Sequence, residues 1–215
     1  GSSLGLRFGQ NINGLNGGGL VSAFSSGTKV LTLGFGDASG IYSGAISNGS
    51  GIISLTKTGS GTQTLNGINA YTGATTVSAG TLLLNSYNAS SSLTVAAAGT
   101  LGGNAGIIEG ASTINGTLDP GTAPGSIGTL NFNNNLTLNL GSTILIQLDR
   151  SAGQNADYLS VVGTLNLGGN WLVSNIGASL LAGDTFNLFD AGTTTGTAGL
   201  LNLPSLDSGL DWDTS

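Results

Sequence analysis

Residues 55–85 read LTKTGSGTQTLNGINAYTGATTVSAGTLLLN, and this stretch decides the fold. It divides into short extended pieces separated by small-residue corners. Ser54, Leu55 and Thr56 form one piece, and Gln63, Thr64 and Leu65 a second, after the corner Gly59-Ser60-Gly61. Thr75, Thr76 and Val77 form a third and Thr81 to Leu84 a fourth, with Ser78-Ala79-Gly80 between them. Thr, Val, Leu and Tyr suit a pleated, half-buried backbone, whereas Gly and Asn supply the positive φ that corners need. No piece has a helical period. A chain that turns every few residues without charged loops predicts coiling around an axis rather than hairpins.

Outward from this stretch a Gly-Thr-Leu signature recurs, at Gly80-Thr81-Leu82, Gly99-Thr100-Leu101, Gly116-Thr117-Leu118, Gly128-Thr129-Leu130 and Gly163-Thr164-Leu165. The first two intervals are 19 and 17 residues by subtraction. These are plausible circumferences for one coil of a β-solenoid. Each Leu would stack on its counterpart about 4.8 Å away. About ten such coils would give a rod about 5 nm long. Asn66, Asn85, Asn104 and Asn115 lie near corners, where stacked Asn side chains can hydrogen-bond between coils.

The residues Leu55-Thr56-Lys57-Thr58-Gly59-Ser60-Gly61-Thr62, Thr64-Leu65, Tyr71-Thr72-Gly73-Ala74-Thr75-Thr76-Val77 and Ala79-Gly80-Thr81-Leu82 closely resemble the passenger-associated (autotransporter-associated β-strand) repeat of bacterial autotransporter passengers. Gln63, Ile68 and Ala70 depart from the usual choices. The segment Ala123-Pro124-Gly125-Ser126-Ile127-Gly128-Thr129-Leu130, then Leu136-Thr137-Leu138 and Gly141-Ser142-Thr143, resembles the last part of such stalks. Asp157-Tyr158-Leu159-Ser160-Val161 and the end at Leu210-Asp211-Trp212 fit the same pattern. The resemblance implies an all-β fold, a single-stranded right-handed parallel β-helix (β-solenoid), exported and displayed on the bacterial cell surface. One solenoid over residues 1–215 is expected, with N-terminal coils at 1–54, repeat-bearing coils at 55–122 and a longer-stranded region at 123–215.

Composition narrows the function. Of 215 residues 39 are Gly and only 3 are Pro, with no Cys, Met or His. The Gly content therefore belongs to corners between buried strands, not to a collagen period or a Pro-rich coil. Charged residues are 7 % of the chain, far below the roughly 25 % of ordinary soluble domains. Net charge is −6, and Arg7, Lys29, Lys57 and Arg150 form no basic stripe, so a nucleic-acid partner is not expected. No apolar run approaches the roughly 20 residues of a membrane-spanning helix. The opening Gly1-Ser2-Ser3-Leu4-Gly5 is no signal peptide, so the sequence reads as a processed form or an excised fragment.

Thiol and histidine catalysis are excluded, which leaves paired carboxylates. Asp211 and Asp213 would share a strand face opposite Leu210 and Trp212, and read as a solvated face. Asp149, Arg150 and Asp157 read as loop charges with an ion pair among them, and Asp119-Pro120-Gly121 reads as a turn. Glu109 is the only Glu. Tyr42, Tyr71, Tyr87, Tyr158, Trp171 and Trp212 form no stacking ladder and read as packing or end-capping residues. Leu33-Gly34-Phe35-Gly36-Asp37 loosely resembles a single calcium-binding nonapeptide without tandem neighbours. Asn11 to Gly19 reads as a turn, because no helix follows to make it a phosphate cradle.

No metal, cofactor or catalytic group is expected. No helix is visible, and so no obvious cap for the open ends of a solenoid. Open ends and weak charge predict self-association into a homopolymer or fibre, with Leu4, Leu6 and Phe8 of one copy completing the end near Leu210 and Trp212 of the next. The alternative is a monomeric passenger or adhesin fragment that binds a surface glycan. A third is a polysaccharide-degrading enzyme, which would need carboxylates from separate coils converging in one groove.

Overall fold

A computed structural model describes residues 3–123 and 125–214, so Gly1, Ser2, Pro124 and Ser215 lie outside the described residues. The described residues form twenty-two strands in one hydrogen-bonded sheet, and every strand-to-strand pairing is parallel to a strand from the preceding or following coil. Crossovers between parallel strands coil right-handed. The chain is a right-handed parallel β-helix.

Three faces wind about one axis. On the first, the register stacks Leu4, Val21, Ile46, Asn69, Asn88, Ile108, Phe132, Val161 and Ala191. On the second, Ile12, Leu33, Lys57, Val77, Val95, Ile114 and Leu138 stack. On the third, Gly40, Gln63, Leu82, Leu101, Leu118, Ile144, Trp171 and Leu201 stack. These columns are the core. Strand side chains alternate, so each second residue points at the axis and meets its counterpart one coil away. The first column has nine members rather than ten, which sets the rod at about 4 nm.

By subtraction along that column the coils take 17, 25, 23, 19, 20, 24, 29 and 30 residues. The strands from Thr129 to Asn202 therefore continue the helix in longer coils. The extra length is spent in excursions such as residues 149–157, closed by an antiparallel bridge between Leu148 and Ala156.

The quoted stretch makes a little more than one turn: Ile52–Lys57, Thr62–Leu65, Asn69–Ala70 and Thr75–Leu84. Two expectations change here. The third and fourth pieces are one continuous strand that bends through Gly80, and the two-residue strand Asn69–Ala70 was not legible. The first three Gly-Thr-Leu copies stack directly, Thr81 on Thr100 on Thr117. The last two do not: Leu130 lies on the first face and Leu165 on the second. The tripeptide marks entry to any face, because each entry needs a small corner residue, an outward Thr and an inward Leu.

The Asn ladder forms at the corner after the third face. The Asn85 amide donates to Asn66 at 2.9 Å, the Asn104 N–H to Asn85 Oδ1 at 3.0 Å, and the Thr129 N–H to Asn104 Oδ1 at 3.1 Å. Asn115 sits at a different corner and receives the Asn139 amide at 2.6 Å. Asp119-Pro120-Gly121 is not a turn, since Thr117–Pro120 is a strand. Proline is admitted there because it closes the strand and no following ladder bond needs its missing N–H. One short 3₁₀ turn, Phe35–Asp37, interrupts the β structure. Its Asp37 accepts the Ser60 N–H at 2.7 Å, which tethers one coil to the next and holds the carboxyl below its usual pKa.

Candidate functional site: the two ends and the buried polar groups

The strand Ser3–Leu6 pairs along one edge only, with Leu20–Ala23, and Gln10–Ile12 pairs only with Thr28–Leu33. At the other end Phe189–Gly196 pairs only with Tyr158–Leu167, and Leu201–Asn202 only with Asn170–Asn175. Among the described residues these are the unpaired edges of the rod. A parallel stack has a direction, so the edge left open at one end is the complement of the edge left open at the other.

Exposed large apolar side chains concentrate toward the two ends. None lies between Ile68 and Leu140, whereas Leu4, Phe8, Leu20 and Phe24 are exposed in the first coils and Leu181, Leu200 and Leu201 in the last. Leu4 and Phe8 are 39 % and 74 % exposed, but Leu6 is fully buried in its own first coil. The expected donor segment is thus already the first rung of its own rod, and it offers a neighbour its edge with Leu4 and Phe8 but not Leu6.

Leu210 and Trp212 lie at the opposite end. They line a cleft of about 750 Å³ with Leu148, Trp171, Leu188 and Phe189. Residues 203–214 form no strand, yet Leu210 and Trp212 are half-buried while Asp211 and Asp213 are exposed, so the alternation survives without a pairing partner. The Trp212 Nε1–H donates to the Pro204 carbonyl at 2.9 Å. Trp171 meets Phe189 with ring centroids 5.9 Å apart and donates to Gly168 O at 3.1 Å, so it packs the core rather than presenting a sugar platform.

The carboxylates are arranged differently from the sequence reading. Arg150 pairs with Asp184, at 2.8 Å, and not with Asp149 or Asp157. Asp149 caps its own loop through Ser151, with N···O 2.9 Å. Asp157 is no loop charge: it is fully buried, and its two oxygens accept the Gly128 N–H at 2.7 Å and the Gln147 N–H at 2.6 Å. Burial pushes its pKa up to about 7, against the two backbone donors, with the nearby Asp119 charge adding to the rise. Asp119 is itself raised by burial. The Asp119 charge, from another coil, acts on Asp157, which is sealed from solvent and not set in an open groove. Glu109 accepts the Asn133 amide at 2.9 Å on the surface.

The burial of other polar residues, Lys57 and Gln63 among them, was also missed. Lys57 occupies an inward position and is wholly buried. Its ammonium donates to the carbonyls of Thr58, Gly59 and Ala79 at 2.6, 3.0 and 3.2 Å, across two coils. Burial lowers its pKa, and the Asp37 carboxylate partly restores it. The corner admits the ammonium because Gly59 and Gly80 have φ of 65° and 63°, and a Cβ at Gly80 would lie 2.7 Å from Lys57 Nζ.

Gln63, the departure from the repeat pattern, reaches past Gly40 to Leu15, two coils back. It accepts the Leu15 N–H and donates to the Leu15 carbonyl, both at 2.9 Å. The third face has no ladder strand at Leu15, so the amide supplies the two bonds a strand would have made. Gly40 has no side chain to block the path, since a Cβ there would lie 2.8 Å from Gln63 Oε1. Inside the same turn Tyr71 is fully buried, bonded to Thr75 Oγ1 at 2.6 Å and to the Asn88 amide at 2.8 Å. Burial pushes its pKa up to about 12.

Among the described residues no helix is long and apolar enough to cross a membrane. No curated protein matches the chain. Residues 55–84 match the family described as passenger-associated-transport-repeat. The matched residues are those that make one turn plus the following third-face strand, with Lys57, Gln63, Asn69 and Tyr71 turned inward. Residues 55–84 of this chain are thus similar to a passenger-associated-transport repeat, and they fold as a rung of a parallel β-helix.

Proposed function

We propose that this chain is a non-enzymatic structural β-solenoid, secreted to the bacterial cell surface, whose copies associate end to end into fibres. The observation that carries the reading is the pair of unpaired parallel edges at opposite ends of one continuous stack, each flanked by exposed apolar side chains. Head-to-tail joining satisfies both edges at once, and such a heterologous contact propagates rather than closes. The occupant of the cleft beside Leu210 and Trp212 is then the first coil of the next copy. The low charge of the chain offers little repulsion against this.

Electron microscopy of the purified protein near neutral pH tests the proposal. Long fibres with an axial repeat of about 4 nm, one nine-rung rod, are expected. Phe8→Asp alters an exposed residue, so it should abolish fibres while leaving the melting temperature unchanged. Short monodisperse rods from the unaltered protein would instead favour the second reading, a displayed passenger or adhesin fragment that binds a surface glycan. That reading is favoured by the passenger-associated-transport repeat itself.

A further inference from the structure

The charges of this chain are sorted along its sequence. Residues 1–36 hold two bases, Arg7 and Lys29, and no acid, for a net +2. Residues 37–150 hold four acids and two bases, a net −2, and residues 151–215 hold six acids and no base, a net −6. The parallel stack turns this order in sequence into order in space, because each coil advances the chain along one axis. The first coil is thus a basic head of the rod, and the last coil an acidic tail.

These charges lie where a neighbouring copy would meet them. Arg7 is exposed and falls between Ser3–Leu6 and Gln10–Ile12, the two strands with open edges. Lys29 adds to the head from within, its ammonium held by the Ser26 and Gly27 carbonyls. At the other end Asp190 is exposed within Phe189–Gly196, itself an open edge. Residues 203–214 turn Leu203, Leu206 and Trp212 onto the core and leave Asp207 and Asp211 outside. Asp157 is buried and Asp184 is paired with Arg150, so the exposed charge of this region gathers at the rim of the last coil.

Edge geometry alone does not choose how two rods join, since two copies of the same edge can pair antiparallel in a two-fold joint. Charge does choose. A tail-to-tail joint opposes Asp190, Asp207 and Asp211 to their own copies, and a head-to-head joint sets Arg7 against Arg7. Only a head-to-tail joint brings opposite signs together.

We propose that the two ends of the rod are an electrostatically matched pair, in which the acidic rim carrying Asp190, Asp207 and Asp211 recognises the basic head carrying Arg7 of a second copy. This rests on the end-to-end reading and adds its polarity: every copy in a fibre points the same way. The field of the whole end acts, not one ion pair. Single exposed pairs contribute little, whereas opposed patches of charge raise the rate of encounter by about tenfold or more.

Fibre elongation by the whole chain, followed by light scattering, tests the proposal. Raising salt from about 0.01 M to about 0.1 M shortens the screening length from about 30 Å to about 10 Å, and should slow elongation about tenfold. Arg7→Asp alters an exposed side chain, and should slow elongation at the lower salt at least as much, with an unchanged melting temperature. Adding Asp190→Lys and Asp211→Lys to that variant reverses both ends, and should restore the rate. Equal rates at both salt concentrations, or equal rates from Arg7→Asp and the unaltered chain, overturn the charge assignment while end-to-end joining stands. No fibres from the unaltered chain at either salt concentration overturns the joining itself, and this proposal with it.

Discussion

The coils around Leu82, Leu101 and Leu118 and the last coil around Phe189 and Leu201 use the same architecture with opposite results. In the middle, each of the three leucines is wholly buried, because an inward side chain of the same column, Gln63 before the three and Ile144 after them, lies one coil away on either side. In the last coil Leu201 is 42 % exposed and Phe189 half-buried, because only one neighbour exists. A solenoid buries a rung from two sides. The difference between a core residue and an interface residue here is position along the rod, not residue type.

Equivalent truncations on the two sides of this comparison should break it or sharpen it. Leu101→Ala leaves a cavity with close-packed rungs above and below, and should cost about 3 kcal/mol in denaturant unfolding. Leu201→Ala on the same column should cost less than about 1 kcal/mol. Equal costs would show that the last coil is as well packed as the middle.

Gly80→Ala attacks the corner rather than the column. It forces a side chain into a left-handed conformation against the carbonyls of Gly59 and Gly61, and should cost about 2 kcal/mol or more by the same measurement. Gln63→Leu leaves the Leu15 N–H and carbonyl buried without partners, at about 1–3 kcal/mol. Its diagnostic readout is faster amide exchange at Leu15 with exchange at Trp171 unchanged. The smallest effect is expected at the exposed Asn ladder, where Asn85→Ala removes side-chain bonds at the surface and should cost about 0.5–1 kcal/mol. In the unaltered chain, amide exchange should be slower over Thr75–Leu84 than over Phe189–Gly196, since the last rung lacks an outer partner.

Much of the fold was legible because a coil repeats its chemistry. The interval between Thr81, Thr100 and Thr117 is the circumference of the coil, and the structure stacks those residues on one another. The corner Asn residues followed from the same period, apart from Asn115, which the period alone could not assign to a corner. The later Gly-Thr-Leu copies misled for that reason too: a tripeptide that opens any face says nothing about which face it opens. The buried groups were less legible. Lys57 and Asp157 belong to residue types that are almost never fully buried unless paired, and what admits them is a set of backbone carbonyls or N–H groups contributed by other coils. No local pattern announces such partners. Gln63 did carry a signal, since it breaks the expected apolar choice at its position, but its partner lies 48 residues away.

By itself the sequence determined that the chain is all-β, that it coils with short apolar rungs and glycine corners, and that its 30-residue segment at 55–84 is similar to a passenger-associated-transport repeat. These are properties of period and composition, which local chemistry dictates. Only the tertiary structure decided that the described residues form nine rungs, that Leu6 is sealed in the rod while Leu4 and Phe8 are exposed, and that Asp157 is buried on the backbone N–H groups of Gly128 and Gln147. Those depend on how many residues each excursion spends between rungs, and therefore on which side chains from distant coils arrive at the same height on the axis.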